Sequence, residues 1–250
     1  MAKKMLMEIL KHEKVSSNVF RLTLGGKLTA QPGQFVQVAV SKTYDPFLKR
    51  PFSVHDCSAD TLTLLYRVLG RGTGLLAGKR TGEQLEVVGP LGTAFPVETA
   101  DRIILVAGGI GSAPLFYLLK SLRAAGKKVT FLYGARSKEE LILREQYQML
   151  ADEYGEATED GSCGHHGLVT ELVADALDKG RTVLYACGPE AMLRAVAELA
   201  KANNCSCYVS LEAHMACGVG ACLGCVVANA QGEYVRVCVD GPVFPAREVF

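Results

Sequence analysis

The sequence predicts a β plus α/β protein of three consecutive parts, and three observations support this. Residues 1–98 carry short runs rich in β-formers between Gly/Pro turns, which are typical of an antiparallel β-barrel. In residues 99–204 continuous apolar runs alternate with helical segments, as in a doubly wound parallel sheet. Residues 205–250 contain four closely spaced cysteines and predict a small metal-binding domain.

Composition narrows the possible functions. The chain has 250 residues, 49% of them hydrophobic, so it can bury more than one core. The formal net charge of +1 gives no indication of nucleic acid or of an anionic membrane surface as a partner. The N-terminal residues show no long apolar segment, and the apolar run 103–119 is interrupted by glycines and Pro114, so we expect no membrane span. Nine cysteines without a signal peptide predict a cytoplasmic location and a bound metal.

The first part reads as short strands, at 19–24, 35–40, 61–68 and 86–88. Two of its motifs carry chemistry. In Arg50-Pro51-Phe52-Ser53 the guanidinium suits a pyrophosphate and the hydroxyl suits a ring nitrogen. In the turn Gly70 to Gly74, backbone N–H groups and the Thr73 hydroxyl could hold a diphosphate at a helix start. Each motif alone is also compatible with an ordinary strand end or an ordinary turn.

The second part predicts strands at 102–107, 128–133 and 182–186, and helices at 115–125, 138–150, 167–178 and 191–202. The glycines of Gly108-Gly109-Ile110-Gly111 follow the first strand and would allow a nucleotide phosphate close to the backbone. This run is not the complete dinucleotide fingerprint, so it is weak evidence by itself. Arg136 could grip a 2′-phosphate or be an ordinary surface arginine, and the sequence leaves NAD and NADP open.

The third part decides the interpretation. Cys217, Cys222, Cys225 and Cys238 follow the pattern C-x4-C-x2-C-x12-C, which is the ligand spacing of a plant-type 2Fe-2S cluster. Glycines between the ligands would let backbone N–H groups turn toward the inorganic sulfides. Zinc usually takes two close cysteine pairs, but only one C-x2-C is present, and disulfides are not expected in a reducing compartment. Zinc remains an alternative. We expect Cys57, Cys163, Cys205 and Cys207 to be free thiols.

Motif order gives a resemblance to a known superfamily. Arg-x-aromatic-Ser, the Gly-Thr turn and Gly89-Pro90-Leu91-Gly92 resemble the flavin-binding barrel of ferredoxin–NADP reductases, although Phe52 replaces the family's tyrosine. The glycine turn at 108–111 and the Cys187-Gly188-Pro189 turn together resemble the nicotinamide domain of that superfamily. There the second turn lies near the nicotinamide, so the resemblance implies a position of Cys187 at the hydride-transfer centre; the alternative is a small buried thiol.

The tail from Leu211 to Cys225, with Cys238-Val239-Asp240-Gly241-Pro242, resembles the electron-transfer subunit of class B dihydroorotate dehydrogenase. The resemblance covers essentially the whole chain and implies a set of sites. FAD would be held by Arg50, Pro51, Phe52, Ser53, Tyr66, Arg67, Val68, Gly72, Thr73 and Gly74. NAD would be held by Gly108, Gly109, Gly111, Cys187, Gly188 and Pro189, and the 2Fe-2S cluster by the four cysteines.

The order of these modules implies an electron relay. Nicotinamides exchange two electrons as a hydride and a 2Fe-2S cluster carries one, so FAD is expected between them. The resemblance implies that an FMN-containing dihydroorotate dehydrogenase catalytic subunit supplies the electrons, in a heterotetramer of two of each subunit, for pyrimidine biosynthesis. We expect the partner to dock over the cluster loop. The apolar or uncharged residues there could help form that contact or cover the cluster within the chain; they are His214, Met215, Ala216, Val219 and Leu223. Alternatives are a flavin subunit of an NADH-dependent ferredoxin:NADP reductase or sulfide dehydrogenase, and a redox sensor without enzymatic activity.

Overall fold

The computed structural model describes residues 2–177 and 181–250. The predicted fold class is confirmed: a closed antiparallel barrel is followed by a mostly parallel sheet with helices, and a small hairpin lies near the C-terminus. None of the helices within these residues is long and apolar enough to cross a membrane.

Six antiparallel strands close the barrel in the order β1-β2-β5-β4-β3-β6. The strands are β1 (Lys3–Lys14), β2 (Val19–Gly25), β3 (Phe35–Val38), β4 (Arg50–Cys57), β5 (Thr61–Arg67) and β6 (Gln84–Leu91). Alternate residues point inward and fill the barrel, and Leu22, Leu24, Leu62 and Leu64 are fully buried there. A short helix, α1 (Arg71–Ala77), follows β5 and begins at the predicted glycine turn.

A seven-stranded sheet in the order β10-β9-β8-β7-β11-β12-β15 forms the second layer. Its strands are β7 (Arg102–Gly108), β8 (Val129–Ala135), β9 (Glu153–Thr158), β10 (His165–His166), β11 (Thr182–Cys187), β12 (Ser206–Ser210) and β15 (Val243–Pro245). All neighbouring strands run parallel except β15, which pairs antiparallel with β12. The helices are α2 (Ser112–Ala124), α3 (Arg144–Leu150), α4 (Val169–Ala176), α5 (Glu190–Ala202) and α6 (Ala246–Val249), and the hairpin is β13 (Val226–Ala228) with β14 (Tyr234–Arg236).

Two sequence-based elements differ from the structure. The helix predicted over 138–150 is a 3₁₀ turn, Lys138–Glu140, followed by α3, because Leu143 has a φ of 56° and breaks the chain direction. The Tyr133 hydroxyl, which accepts the Ile142 N–H at 3.0 Å, fixes this break from the neighbouring strand. The helix predicted over 167–178 is α4, and Asp178 lies outside the described residues.

The predicted boundaries after residues 98 and 204 stay predictions, but the structure shows how the parts join. Both β12 and β15 lie within the stretch predicted as a cluster domain, and both belong to the large sheet. Phe35 and Leu91 of the barrel share one apolar core with Cys225, Cys238 and the sheet. The cluster segment is therefore built onto both other parts.

A buried histidine marks the contact between barrel and sheet. His55 of β4 is 2% exposed, and its Nδ1–H donates to the Ala113 carbonyl of α2 at 3.0 Å. Its ring stacks on Phe116 with 4.6 Å between centroids. Burial lowers the pKa of His55 to about 4, although Asp56 nearby acts in the opposite direction. The folded protein thus holds this imidazole neutral against α2.

Stability should depend on pH through His55. Between pH 6.5 and 4 the unfolded chain takes up a proton here and the folded chain does not, so the free energy of unfolding falls as pH falls. The loss should reach about 3 kcal/mol, since each pKa unit corresponds to about 1.4 kcal/mol. In His55→Gln the side chain can still donate but does not titrate. Urea unfolding at pH 7 and pH 4.5 should show a smaller drop for this variant, and parallel pH curves for both proteins would contradict the expectation.

Candidate functional site

A cavity of about 240 Å³ opens where β4, β5 and α1 meet. Seven of the residues predicted to bind FAD line it together: Arg50, Pro51, Phe52, Ser53, Tyr66, Arg67 and Thr73. Three do not line it. Val68 packs against the barrel core, Gly72 lies beneath Arg50, and the Gly74 N–H bonds within α1 to the Gly70 carbonyl at 2.9 Å. The two sequence motifs thus form one site.

Arg50 and the start of α1 create a positively charged corner of this cavity. A Cβ on Gly72 would lie 2.8 Å from the Arg50 Cζ, so only glycine lets the guanidinium pass over the helix start. Among the described residues, no ion pair to a carboxylate neutralises Arg50. A guanidinium beside the positive end of a helix dipole is unfavourable unless an anion joins them. A diphosphate fits this corner.

The Thr73 hydroxyl has a different contact from the one predicted. It accepts the N–H groups of Leu69 and Gly70 at 3.0 and 3.2 Å and donates to the Gly70 carbonyl at 3.1 Å. Its hydrogen-bonding capacity is used to shape the turn. The remaining first-turn N–H groups of α1 have no intrahelical partner, so they are the donors available to an anion.

Aromatic rings form the apolar wall of the cavity. The centroids of Phe52 and Tyr66 are 5.3 Å apart, and the Tyr66 hydroxyl lies 2.9 Å from His12 Nε2. Burial raises the pKa of Tyr66 well above its ordinary value. This hydroxyl is therefore neutral and already bonded, and the two tilted rings form an apolar wall that suits contact with a ring system.

A second cavity, of about 520 Å³, lies at the carboxyl ends of the parallel strands. In chain order, β8 is added on one side of β7, and β11 is later added on the other side. The direction in which successive strands are added therefore reverses between β7 and β11. Open α/β sheets bind ligands at such switch points. The predicted Gly108, Gly109, Gly111, Gly188 and Pro189 all line this cleft.

The two predicted turns touch each other. A Cβ on Gly111 would lie 2.6 Å from the Cys187 carbonyl carbon and 2.7 Å from the Gly188 nitrogen. A Cβ on Gly108 would lie 2.6 Å from Pro189 Cδ. These glycines therefore allow two backbone turns to pack directly, and their N–H groups border the cleft at the start of α2.

The Cys187 side chain is buried behind this contact and does not line the cleft. Its side chain is 1% exposed and is not among the residues that line the cavity. Burial, with the charge of Glu212 as a further cause, raises the pKa of the thiol far above its ordinary value. Its predicted position at the hydride-transfer centre stays a prediction, and the structure gives it the surroundings of a packed neutral thiol.

Sequence reasoning missed Glu212, which stands where the two cavities adjoin. It lines both of them, as do Arg67 and Ile110. Solvent reaches Glu212 through the open cleft, yet the walls around it desolvate the carboxyl and raise its pKa. The available signal was position: Leu211-Glu212-Ala213 directly follows β12, at the ligand-binding edge of the sheet.

Charges along the cleft are partly paired. Glu140 lies between Arg67, at 3.7 Å, and Arg136, at 3.6 Å. The Arg67 Nε is buried without a hydrogen-bond partner among the described residues, so an acceptor is still needed there. Arg136 lines the cleft together with Glu140 and Glu159. A 2′-phosphate would meet these two carboxylates, whereas a free ribose hydroxyl could donate to them.

The four predicted cluster cysteines come together as two pairs. Cys217 has the Cys222 side chain as a neighbour, and Cys238 has the Cys225 side chain as a neighbour. In the described ranges, no three His, Cys, Asp or Glu side chains converge as ligands of a single metal ion. Two pairs of thiols suit two iron atoms with two protein ligands each, whereas one tetrahedral zinc would need all four at one point. The arrangement fits a 2Fe-2S cluster.

Backbone N–H groups face the first of these sulfurs. The Val219 N–H donates to Cys217 Sγ at 3.4 Å. This bond, with further N–H groups of Cys222 and Ala221, lowers the pKa of Cys217 to about 6. Gly218 and Gly220 have φ of 69° and 79°, which only glycine adopts at low cost and which turns the loop inward. A negatively charged sulfur centre is stabilised by this loop before any metal is considered.

Comparison with known proteins agrees with this architecture. The iron–sulfur cluster binding domain of dihydroorotate dehydrogenase B matches residues 212–250. The electron transfer subunit of dihydroorotate dehydrogenase B (NAD(+)) from Bacillus caldolyticus is 43% identical over 97% of this chain and 97% of its own length. The chain belongs to the family of dihydroorotate dehydrogenase B electron transfer subunits. The Aquifex aeolicus homolog in this family is 41% identical, covering 97% of this chain and 96% of its own.

Two further matches concern the middle part of the chain and its overall fold. The oxidoreductase NAD-binding domain matches residues 105–198, which contain both glycine turns of the cleft. A chain of the NADH-dependent reduced ferredoxin–NADP oxidoreductase superposes with a TM-score of 0.87 at 31% identity, over 98% of this chain and 90% of that one. The cleft of this electron-transfer subunit thus lies within a recognised nucleotide-binding domain.

Gly111→Ala should damage the cleft without affecting the barrel. The new methyl would overlap the backbone at Cys187 and Gly188 and push the two turns apart, at a cost of about 1–3 kcal/mol. We expect the NADH concentration for half-maximal ferricyanide reduction to rise about tenfold or more. Gly78→Ala is the control, because its Cβ would meet only ordinary contacts, 3.6 Å and beyond. Equal NADH dependence in both variants would show that the contact between the turns does not shape the nucleotide site.

Proposed function

We propose that this chain passes electrons from an FMN-containing dihydroorotate dehydrogenase catalytic subunit to NAD⁺, through a 2Fe-2S cluster and FAD, in pyrimidine biosynthesis. The observation that carries the proposal is the adjacency of the three candidate sites. The flavin cavity shares Arg67, Ile110 and Glu212 with the nicotinamide cleft. Its far wall is formed by residues of the cluster segment, namely Leu211, Glu212, Ala213, Met215 and Pro242. Together the two adjoining cavities reach the volume usual for cofactor sites.

Each cofactor would be held by a definite group of residues. Arg50 and the α1 N-terminus would hold the FAD diphosphate, while Phe52 and Tyr66 would pack against its ring system. The turns at 108–111 and 187–189 would hold NAD, and the four cysteines would hold the cluster. When bound, a flavin accepts a hydride's two electrons together and exchanges them one at a time, which joins the nicotinamide to the cluster.

The protein residues around these sites determine which charges and protons are close to the proposed cofactor positions. The neutral Tyr66 and the buried Cys187 offer no charge next to the flavin and nicotinamide positions. Glu212 is the one carboxyl that borders both cavities among the described residues, so it could hold a proton close to the site of hydride transfer. The close glycine contacts would leave room for the cofactor phosphates to approach the backbone of these turns.

The partner would dock beside the cluster. Val219 and Leu223 of the predicted contact are exposed by 53% and 60%, and Tyr234 of the adjoining hairpin is exposed by 77%. His214 is also exposed, but Met215 lines the flavin cavity and Ala216 is half-buried. Exposed apolar side chains next to Cys222, the most accessible ligand, suit contact with a protein. The proposed assembly is a heterotetramer with two copies of each subunit.

The 31% identical NADH-dependent ferredoxin–NADP oxidoreductase chain supports a second candidate, the flavin subunit of such an enzyme. The partner separates the two. Co-purification with an FMN-containing barrel protein, together with dihydroorotate-dependent NAD⁺ reduction, supports the pyrimidine role. Recovery of a second large flavoprotein and ferredoxin-dependent NADP⁺ reduction supports the alternative. Absence of any NADH–ferricyanide activity in the isolated chain would support a redox sensor.

Cys225→Ser tests the cluster arm of the relay. The variant should lose iron, acid-labile sulfide and the cluster's visible absorption, because Cys225 is one of the two buried ligands. It should keep FAD and NADH–ferricyanide activity, while dihydroorotate-dependent NAD⁺ reduction with the partner disappears. Cys205→Ser is the control, since that thiol lies outside the loop. Normal coupled activity in Cys225→Ser would remove the cluster from the route.

Arg50→Ala tests the flavin arm. We expect FAD to bind more weakly by about 2 kcal/mol, or roughly thirtyfold, because a charge-assisted contact to the diphosphate is lost. The neighbouring Lys49→Ala is the control, since Lys49 pairs with Glu86 at 3.2 Å on another part of the barrel. Fluorescence titration of deflavinated protein with FAD gives both affinities. If both variants bind FAD like the parent protein, Arg50 does not contact the cofactor.

A further inference from the structure

A buried glutamine of the barrel reaches into the cluster loop. Gln37 lies on β3, within an otherwise apolar stretch in which Val36 and Val38 are fully buried, and it is only 2% exposed. Its Nε2–H donates to the Ala216 carbonyl at 3.1 Å. Ala216 directly precedes the ligand Cys217. A side chain of the flavin barrel therefore bonds to the backbone on one side of a cluster ligand.

The same amide also contacts the other side of that ligand. Gly218 has a φ of 69°, and a Cβ on it would lie 2.8 Å from both Cδ and Nε2 of Gln37. The Gln37 amide thus packs against the residues before and after Cys217. The next N–H along the loop, that of Val219, donates to the Cys217 sulfur. The position of the Gln37 amide therefore fixes the backbone that aims both the sulfur and its hydrogen-bond donor.

Burying this amide has an energetic cost, and it lies on the face of β3 opposite to Val36 and Val38, which point into the barrel core. An amide placed in apolar surroundings is costly unless it is hydrogen-bonded, and an apolar residue would fill the position without that cost. The hydrogen bond to Ala216 offsets the cost only while the loop keeps its present course. Gln37 and the loop conformation consequently depend on each other.

We propose that Gln37 is a positioning residue for the cluster, which sets the backbone around Cys217 from the flavin side. The inference rests on the proposed function, because it requires that Cys217 ligates iron. It adds that the barrel fixes the first ligand through a side chain outside the cluster segment. Hydrogen-bonded partners of metal ligands commonly change metal retention by about 10–100-fold when they are removed.

Gln37→Met is the direct test. Methionine keeps the length and unbranched shape of the side chain but cannot donate to Ala216. We expect iron release to a chelator to become about tenfold faster and the EPR spectrum of the dithionite-reduced cluster to change its g values or broaden. FAD content and NADH–ferricyanide activity should remain those of the parent protein, because neither requires the cluster.

Gln34→Met is the matched control. Gln34 is a nearby glutamine of the same barrel, and its amide donates to the Gly92 carbonyl at 2.9 Å rather than to the cluster loop. Iron release and EPR spectra should be unchanged in this variant. If the two methionine variants behave alike and like the parent protein, the proposal is overturned.

A second pair of variants approaches the contact from the loop. Gly218→Ala adds a methyl against the Gln37 amide at a left-handed position, and Gly232→Ala adds one at φ 80° where nothing lies within 4 Å. Both positions have a left-handed φ, of 69° and 80°, but only the methyl at position 218 would meet the Gln37 amide. Faster iron release in Gly218→Ala alone supports the proposal. This pair decides the question if Gln37→Met fails to fold, which loss of FAD would reveal.

Failure of this inference can be told from failure of the proposed function. If the parent protein purified without air holds no iron and no acid-labile sulfide, the cluster assignment itself fails. If the parent protein holds a 2Fe-2S cluster but Gln37→Met and Gly218→Ala release iron at its rate with its EPR spectrum, only the role of Gln37 fails.

Discussion

The arrangement of the whole molecule depends on how the C-terminal segment is fastened to the barrel. Thr93, just after the last barrel strand, donates its N–H to the Gly241 carbonyl at 2.7 Å. Its hydroxyl donates to the Val243 carbonyl at 3.0 Å and lies 3.2 Å from the Val243 N–H, which donates to it. One residue thereby fixes the start of β15, and β15 in turn pairs with β12 of the large sheet. β15 thus belongs to the sheet and is also bonded to the barrel. The cluster loop, which lies between β12 and β15 in the chain, is therefore held at both ends.

This fastening explains why the flavin cavity has walls from all three parts of the chain. Leu211 and Glu212 directly follow β12, and Pro242 directly precedes β15. These three residues border the same cavity. The barrel alone would offer an open groove at Arg50 and Tyr66. A site with walls from all three parts brings the nicotinamide side and the cluster side next to the position proposed for the ring system. Geometry of this kind is what a converter between hydride and single-electron transfer needs.

The sequence predicted the individual elements and motifs better than the contacts between distant segments. Local signals were sufficient for the barrel and the parallel sheet, because alternation and buried apolar runs reflect burial directly. The cysteine spacing and the two glycine turns were likewise readable, since ligation and close backbone approach demand particular residue types. Contacts between distant segments were not readable: Gln37 sits in an apolar run without any local signal, and Glu212 gains its place only from the sheet order. Thr73 shows the converse case: it lines the predicted cavity, but its hydroxyl is bonded within its own turn, which the motif did not reveal.

The three candidate sites differ in the charges and dipoles that surround them. The corner proposed for the FAD diphosphate is positive, through Arg50 and the start of α1, while the cleft proposed for NAD carries Glu140 and Glu159. The cluster loop instead presents N–H dipoles to its sulfurs, and Arg236, which lies beside Gly220, is paired with Asp240 at 3.0 Å. Anionic phosphates and an anionic metal–sulfide centre are thus stabilised by different means, one by full charges and one by backbone dipoles. Dipoles fixed by glycine turns stabilise the cluster without adding a mobile cation, so its surroundings depend on how firmly the loop is held. The hold of the barrel on that loop is therefore part of the cluster's electrostatic environment as well as of the fold.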